Sequence, residues 1–276
     1  MEKKPYEGYL IISDMDGTLL DSDHKISREN IDALNGFVGN GGKFTVATGR
    51  NEDSVKLFLR DIPINAPAIL YNGALIYDMA SGKRLWQDFI DNGVEQAIKD
   101  VLEKFPETGI EIYSEEESYF LRENNISQEH SKRLGSAPKT AELKEIPRPW
   151  YKVMLLDEHE RLNCVKRYLD DNYNCFRSVF SEPQFLELLG AGTSKGNALK
   201  RLTAILGMDM SGVISIGDNL NDVEMILYAG VGVAVRNAHK ELIQIADYCS
   251  GTNDEHALRN VIRWLANRDN RIENIL

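Results

Sequence analysis

Short apolar runs alternate with amphipathic stretches at the start of this chain. The runs, typical of buried strands, occupy residues 9–12, 43–47 and 68–71. After the first run, Ser27 is suited to cap a helix whose apolar face contains Leu34 and Phe37. Strands that alternate with helices form parallel sheets with right-handed crossovers. The pattern therefore predicts that these three runs lie in one parallel sheet of an α/β, Rossmann-like core.

The middle of the chain has a different pattern. Residues 75–77 and 83–86 flank a turn and predict a hairpin, and a helical stripe with Val94, Ile98 and Val101 follows. Further strand-like runs occupy residues 109–113, 118–121, 151–156, 175–180 and 185–189. A second helical stripe contains Leu162 and Val165. Strands with two helices and hairpin connections predict a separate α+β unit. We place this inserted cap domain at residues 84–185, which leaves residues 1–83 and 186–276 for the catalytic core.

Composition and charge exclude several classes of protein. The chain has 276 residues with a formal net charge of −11, and we find no Lys/Arg cluster. We therefore expect no nucleic-acid partner. No apolar run approaches the ~20 residues of a spanning helix, so we expect no membrane partner. The three cysteines lack pairing or zinc spacing, which favours free thiols and a cytoplasmic location. The sequence does not determine the oligomeric state.

The strongest chemical signal is Asp14-Met15-Asp16-Gly17-Thr18-Leu19, which follows the first apolar run. Two carboxylates at this spacing repel each other unless a positive charge lies between them, and Mg²⁺ prefers oxygen ligands of this kind. Asp14 can serve as a metal ligand and as a nucleophile that forms an aspartyl-phosphate. Asp16 is placed to exchange protons with a leaving group. A calcium loop is excluded because Thr18, Leu19 and Lys25 occupy its diagnostic positions.

Other polar clusters also follow predicted strands. They are Thr48-Gly49, Asn72 and the stretch from Asp218 to Asp222. In open parallel sheets, ligands bind outside the carboxyl ends of the strands, so these clusters are predicted to share one crevice. Asp218 can add a carboxylate to the cation, and Thr48 can donate to phosphate oxygens. Lys195 can neutralise an attacked phosphoryl group.

Four ordered blocks make the chain resemble the haloacid-dehalogenase-like phosphatases. These blocks are D-M-D-G-T-L, T-G-R, T-S-K-G and G-D-N-L-N-D, and the insert resembles the type-IIB cap of the Cof subgroup. The resemblance implies that Asp14 is the nucleophile, Asp16 the general acid/base and Lys195 the residue that holds nucleophile and phosphoryl group. It implies that phosphate and substrate contacts come from Thr48, Gly49, Arg50, Asn72 and Asn221. It implies that Mg²⁺ contacts come from Asp14, Asp16, Asp218 and Asp222, with Asp16 contributing its main-chain carbonyl.

The resulting hypothesis is an Mg²⁺-dependent phosphatase of small phosphorylated metabolites, with sugar phosphates as the expected class. A sugar phosphomutase on the same fold stays open, because a sugar hydroxyl can replace water at the aspartyl-phosphate. A serine esterase is a second alternative, since Ser194 lies in a G-x-S-x-G pattern with Asp218 and His239 or His256 after it. A dinucleotide-binding loop and a non-catalytic sugar-phosphate sensor are weaker alternatives. The sequence does not identify the substrate.

Overall fold

The computed structural model describes residues 4–268, apart from residues 59, 61 and 135–137 and the side chains of residues 133 and 134. The strands are β1 (Leu10–Ser13), β2 (Lys43–Val46), β3 (Ala68–Leu70), β4 (Leu75–Asp78), β5 (Lys83–Gln87), β6 (Gly109–Ser114), β7 (Ser118–Arg122), β8 (Lys139–Thr140), β9 (Trp150–Leu156), β10 (Phe176–Glu182), β11 (Phe185–Gly190), β12 (Val213–Gly217), β13 (Val231–Ala234) and β14 (Tyr248–Cys249). The helices are α1 (Arg28–Gly39), α2 (Glu52–Phe58), α3 (Val94–Lys104), α4 (Asn125–Leu134), α5 (His159–Asn172), α6 (Lys195–Leu206), α7 (Val223–Tyr228), α8 (Lys240–Ile245) and α9 (Ala257–Arg268).

The chain divides into two compact units. One is formed by Met1–Trp86 and Ser194–Leu276, and the other by Gln87–Thr193. The insert expected at 84–185 thus differs from the second unit, which starts at 87 and ends at 193. Both differences follow from strand pairing, because β5 belongs to the small sheet of the first unit and β11 pairs with β9 and β10 in the second.

The first unit is built on a five-stranded parallel sheet. Its strand order is β14-β13-β12-β1-β2, and Leu10 pairs with Val213 on one side and Lys43 on the other. All four residues of β1 are buried, as expected for a sheet that is covered on both faces. Leu199 and Leu202 of α6 pack in the same apolar cluster as Leu10. The predicted α/β class with a parallel-sheet core is confirmed.

The third apolar run does not continue this parallel sheet as a full strand. In the described residues, an isolated parallel bridge pairs Ile69 of β3 with Ala47, the residue that follows β2. Instead β3 pairs antiparallel with β4 in a three-stranded sheet of order β3-β4-β5. A tight turn at residues 71–73 reverses the chain directly after β3, so β4 forms hydrogen bonds with β3 along its length.

The second unit is a six-stranded sheet of order β10-β11-β9-β6-β7-β8 with helices. All its pairings are antiparallel except that between β7 and β8. Ile98 and Val101 of α3 and Leu162 and Val165 of α5 pack into one apolar cluster with residues of the sheet. The sequence pattern missed α4, because the residues of this helix are mostly polar. The capping residue Asn124 was the only signal for its N-terminus. In that cap, Asn124 Oδ1 accepts a hydrogen bond of 2.9 Å from the Ser127 amide.

No helix within the described parts of the chain has the length and apolar character needed to cross a membrane.

Candidate active site

Three predicted site residues lie at one edge of the parallel sheet. Asp14 follows β1, Thr48 follows β2 after one intervening residue, and Asp218 follows β12. Because β1 lies between β12 and β2 and all three strands are parallel, their carboxyl ends meet. Residues 200 positions apart in the chain therefore come into contact.

Lys195 is at the centre of the residues collected at this edge. Its Nζ lies 2.5 Å from Asp14 Oδ1 and 2.7 Å from Asp222 Oδ1. The Lys195 side chain is fully buried, because it is the first residue of α6 and points into the site. A buried ammonium needs such partners, since an isolated charge is costly to remove from water. The lysine thus joins the end of β1 to the loop after β12 through two charge-assisted hydrogen bonds.

Asp222 holds the loop after β12 as well as the lysine. Its Oδ2 accepts hydrogen bonds from the amides of Asp218 (3.0 Å) and Asn219 (3.2 Å). Asp218 Oδ1 in turn accepts a hydrogen bond of 2.8 Å from Thr18 Oγ1. This hydrogen bond joins residues that lie 200 positions apart in the chain. This contact orients Asp218 toward the end of β1.

Asp14, Asp218 and Asp222 form a carboxylate cluster suited to a metal ion. Each offers an oxygen, and these oxygens lie within 4.8 Å of one another. Burial is the main influence on Asp14 and raises the pKa of its carboxyl well above the usual range, although the Lys195 ammonium acts in the opposite direction. Burial followed by the Asp222 charge raises the pKa of Asp218 to about 7. One ammonium therefore does not neutralise the cluster, and a divalent cation with a preference for oxygen ligands fits it.

The pKa of Lys195 is raised, as the pKa values of Asp14 and Asp218 are. Burial acts against its charged form, but the carboxylates of Asp14 and Asp222 outweigh burial and raise the pKa of the lysine. The ammonium is therefore charged throughout the physiological range and remains a fixed positive charge beside Asp14.

Gly17 allows the first motif to approach Asp218. Its φ is +78°, and a Cβ built there would lie 2.7 Å from Asp218 Oδ2. Gly17→Ala is therefore expected to strain the turn, displace the Asp218 carboxylate and weaken the binding of a divalent metal ion by about 10–100-fold, the usual effect of disturbing groups that orient metal ligands. Mg²⁺ titrations followed by thermal unfolding measure the affinity. Gly39→Ala is the matched control because nothing lies within 4 Å of its Cβ position; equal affinities of the two variants would contradict the prediction.

The Asp16 carboxylate lies outside the carboxylate cluster found among the described residues. Arg50 donates to it twice, from Nε to Oδ2 at 2.7 Å and from Nη2 to Oδ1 at 2.6 Å. The third nitrogen, Nη1, donates to Ser54 Oγ at 2.8 Å. Arg50 was predicted to contact phosphate or substrate, but the structure directs its guanidinium to Asp16. The partner Ser54 was missed, although its position four residues after Arg50 is a signal visible in the sequence.

Thr48, Asn72 and Asn221 form a second group beside the sheet edge. The main-chain N–H of Asn72 donates to the main-chain oxygen of Thr48 (2.9 Å), and Asn221 Nδ2 donates to Asn72 Oδ1 (3.0 Å). Asn72 has a left-handed backbone with a φ of 54°, a conformation that is uncommon outside glycine. Asn221 Oδ1 is buried without a hydrogen-bond partner in the part of the chain described. Gly49 lies in the turn between Thr48 and α2.

Ser194 has the geometry of a helix cap. Its Oγ accepts a hydrogen bond of 3.0 Å from the Asn197 amide and also contacts Glu224. Its φ of −159° and ψ of 159° are extended, unlike the strained turn of a nucleophile elbow. His239 Nδ1 accepts from the Glu241 amide, and His256 faces Glu29. These contacts do not support the serine esterase.

The chain is similar to known hydrolases along most of its length. A profile of the haloacid dehalogenase-like hydrolases matches residues 11–262. YxeH of Bacillus subtilis (strain 168) is 32% identical over 270 residues, with 93% of this chain and 97% of that protein covered. Phosphatase YwpJ of B. subtilis (strain 168) is 30% identical over 286 residues, covering 93% and 99%. The crystal structure of a haloacid dehalogenase-like hydrolase from Bacteroides thetaiotaomicron is 27% identical with a TM-score of 0.82, covering 94% and 100%.

Proposed function

The chain belongs to the haloacid dehalogenase-like hydrolases, and we propose that it is an Mg²⁺-dependent phosphatase of small phosphorylated metabolites that works through an aspartyl-phosphate on Asp14. The observation that carries this proposal is the contact of Lys195 Nζ with both Asp14 (2.5 Å) and Asp222 (2.7 Å). A fixed ammonium beside a carboxylate at the end of a buried strand is suited to hold an incoming phosphoryl group next to that carboxylate.

Mg²⁺ fits the donor set of the carboxylate cluster. Asp14 and Asp218 are the ligands we assign to it, together with the main-chain carbonyl of Asp16. Asp222 is a weaker ligand, because one oxygen already contacts Lys195 and the other accepts two amides. When bound, Mg²⁺ neutralises charge on the oxygens of the transferring phosphoryl group.

The first step of the proposed reaction transfers the phosphoryl group to the protein. An oxygen of the Asp14 carboxylate bonds to phosphorus while the bond from phosphorus to the leaving oxygen breaks. The leaving oxygen keeps that electron pair and takes the proton of the Asp16 carboxylic acid. Thr48 Oγ1 accepts the Arg50 amide at 3.2 Å, so its O–H proton is available to donate to a phosphoryl oxygen.

The second step releases phosphate. The Asp16 carboxylate accepts a proton from water, whose oxygen bonds to phosphorus as the bond from phosphorus to Asp14 breaks. The products are inorganic phosphate and the Asp14 carboxylate, and Asp16 is again protonated. Lys195 stays charged throughout and stabilises the negative charge that develops near Asp14.

The second unit, Gln87–Thr193, is proposed to be the cap that selects the leaving group. Sugar phosphates are the first class to test, because the likeness of the insert to the Cof-type cap implies them. A cytoplasmic location also remains a prediction, based on three cysteines without pairing or zinc spacing.

A substrate panel tests the function. Purified protein is assayed with phosphorylated sugars, polyols, nucleotides and cofactors in Mg²⁺ and in EDTA, and phosphate release is measured. We expect activity on sugar phosphates that EDTA abolishes, and an acid-quenched mixture should contain phosphate bound covalently at Asp14 by peptide mass spectrometry. Absence of phosphate release from every compound, or full activity in EDTA, would contradict the proposal. Transfer to a second sugar hydroxyl instead of water would indicate the phosphomutase.

The effect of Mg²⁺ on stability should depend on pH. Burial and the Asp222 charge raise the pKa of Asp218 from 3.8 to about 7 in the fold. The folded protein therefore binds more protons between these values, so metal-free stability falls as the pH rises through this range. Mg²⁺ needs the deprotonated carboxylates, so its stabilisation should be small at pH 5 and larger at pH 8, about 2.7 kcal/mol at 100 times the Kd. Thermal unfolding with Mg²⁺ or EDTA at both pH values measures this; equal gains at both would contradict the prediction.

A further inference from the structure

All three guanidinium nitrogens of Arg50 have hydrogen-bond partners. Nε and Nη2 donate to the two oxygens of Asp16 at 2.7 and 2.6 Å, and Nη1 donates to Ser54 Oγ at 2.8 Å. The Arg50 side chain is only 7% exposed. Its flat face covers the Phe58 ring, with Cζ 4.3 Å from the ring centroid. The guanidinium is therefore held in one orientation by hydrogen bonds at its edge and by an aromatic ring at its face.

The first turns of α2 build this arrangement. Arg50 closely precedes the helix, and Ser54 and Phe58 lie on it four residues apart. Residues at this spacing are neighbours on one side of a helix, so both side chains can reach the same guanidinium. α2 thus holds the Arg50 guanidinium so that two of its N–H groups point at Asp16 of the first motif.

We propose that Arg50 is a positioning residue that orients the Asp16 carboxylate and makes no contact with phosphate; this inference rests on the phosphatase function proposed above. The bidentate pair fixes the plane and direction of the carboxylate, as a single hydrogen bond does not. Asp16 needs such support because its side chain is 29% exposed. His24, another basic group near Asp16, lies 3.9 Å from Oδ1 and is half exposed.

The pair also has a consequence for proton transfer. Both oxygens of Asp16 accept from the guanidinium, and one of them must carry the proton that the carboxylic acid gives to the leaving oxygen. When substrate binds, one oxygen exchanges its contact with Arg50 for a contact with the leaving oxygen, and the other stays attached. Arg50 therefore keeps one oxygen of Asp16 in place while the other faces the leaving oxygen.

Kinetics on two leaving groups test this role. Wild type, Arg50→Gln and Arg50→Lys are compared at saturating Mg²⁺ on an alkyl phosphate and on p-nitrophenyl phosphate, whose leaving group departs without a proton. We expect Arg50→Gln to lower kcat by about 10²-fold on the alkyl phosphate and by less than about tenfold on the aryl phosphate, since only the first needs the positioned acid. Arg50→Lys should recover part of the loss. The inhibition constant of inorganic phosphate should change less than about threefold, because the guanidinium does not contact phosphate.

Three further variants separate positioning from a structural role. Ser54→Ala removes one contact of the guanidinium and should fold, and it should lower the alkyl rate more than the aryl rate. In Asp16→Asn protein, Arg50→Gln should cause no further loss on the alkyl phosphate, because no carboxylate remains to be positioned. Arg84→Gln is the matched control, since Arg84 also contacts α2 through Glu52. Both rates of this control should equal those of wild type.

Each outcome decides the role. Equal losses on both phosphates for Arg50→Gln and Ser54→Ala, or a large rise in the phosphate inhibition constant, would show that Arg50 stabilises the fold or binds phosphate, and would overturn the inference alone. A fully additive loss in the Asp16→Asn background would do the same. Wild-type protein without activity on either phosphate in Mg²⁺ would overturn the proposed function and the role of Arg50 together.

Discussion

Asp14→Asn, which removes the proposed nucleophile, is expected to lower kcat by about 10⁴-fold or more, since the loss of such a group typically has effects of this size. An amide oxygen is a poor nucleophile, and the substituted side chain would also lose the charge-assisted hydrogen bond with Lys195, which is 2.5 Å long in the structure. The metal-free fold should lose less stability than in a variant without the Lys195 ammonium, because that ammonium keeps its contact of 2.7 Å with Asp222. The measurement is kcat at saturating Mg²⁺ together with a thermal unfolding curve in EDTA.

The control for this prediction is Asp32→Asn. Asp32 lies on α1 and forms an exposed pair with Arg28, and pairs of this kind contribute little. Its rate and unfolding curve should match those of wild type. If Asp14→Asn kept a substantial rate at saturating Mg²⁺, the covalent mechanism would be wrong, and the role left to Asp14 would be that of a metal ligand.

Lys195→Met is expected to destabilise the metal-free protein by about 3–5 kcal/mol at pH 8, the usual effect of removing one partner from a buried ion pair. The methionine fits the space of the aliphatic stem, but Asp14 and Asp222 then lose the ammonium that both contact. Urea unfolding in EDTA measures the free energy of unfolding. The loss should become smaller at pH 5, because burial raises the pKa of Asp14 and this carboxyl needs the ammonium less when it is protonated.

Lys240→Met is a matched control for the lysine. Lys240 is exposed at the first position of α8, as Lys195 is buried at the first position of α6, and its replacement should change stability by less than about 0.5 kcal/mol. Mg²⁺ should restore part of the stability of Lys195→Met, since it supplies positive charge to the same carboxylates. A loss below about 1 kcal/mol would mean that the ion pairs of Lys195 are not what stabilises this edge of the sheet.

Local signals predicted the regular elements well. Ser27 caps α1 as expected, since its side chain accepts the Asn30 amide at 3.3 Å, and Leu34 and Phe37 are buried on the expected face. Such signals work because a cap or an apolar stripe involves residues within one or two helical turns. The missed helix, α4, has few apolar residues, so only its Asn124 cap was available as a signal.

Sheet membership was less predictable. The apolar run at 68–71 has the composition of a parallel core strand, yet β3 pairs antiparallel with β4. The left-handed backbone of Tyr71 and Asn72 and the φ of 106° at Gly73 make the turn that causes this pairing. Left-handed conformations are uncommon outside glycine. Asn72-Gly73 is a dipeptide typical of such turns, but the sequence gives no signal for the left-handed backbone of Tyr71.

The sequence alone determined which residue types stand at the strand ends. Asp14, Thr48 and Asp218 follow apolar runs, and this order is enough to predict that they share one edge of a parallel sheet. Only the tertiary structure decided which atoms meet there. Thr18 reaches Asp218 across 200 positions and Arg50 reaches Asp16 across 34, contacts that depend on strand register and turn geometry. The hydrophobic period and the residue composition carry information about residues that are close in sequence. The direction of a carboxylate depends on hydrogen-bond donors that folding brings to it from distant parts of the chain.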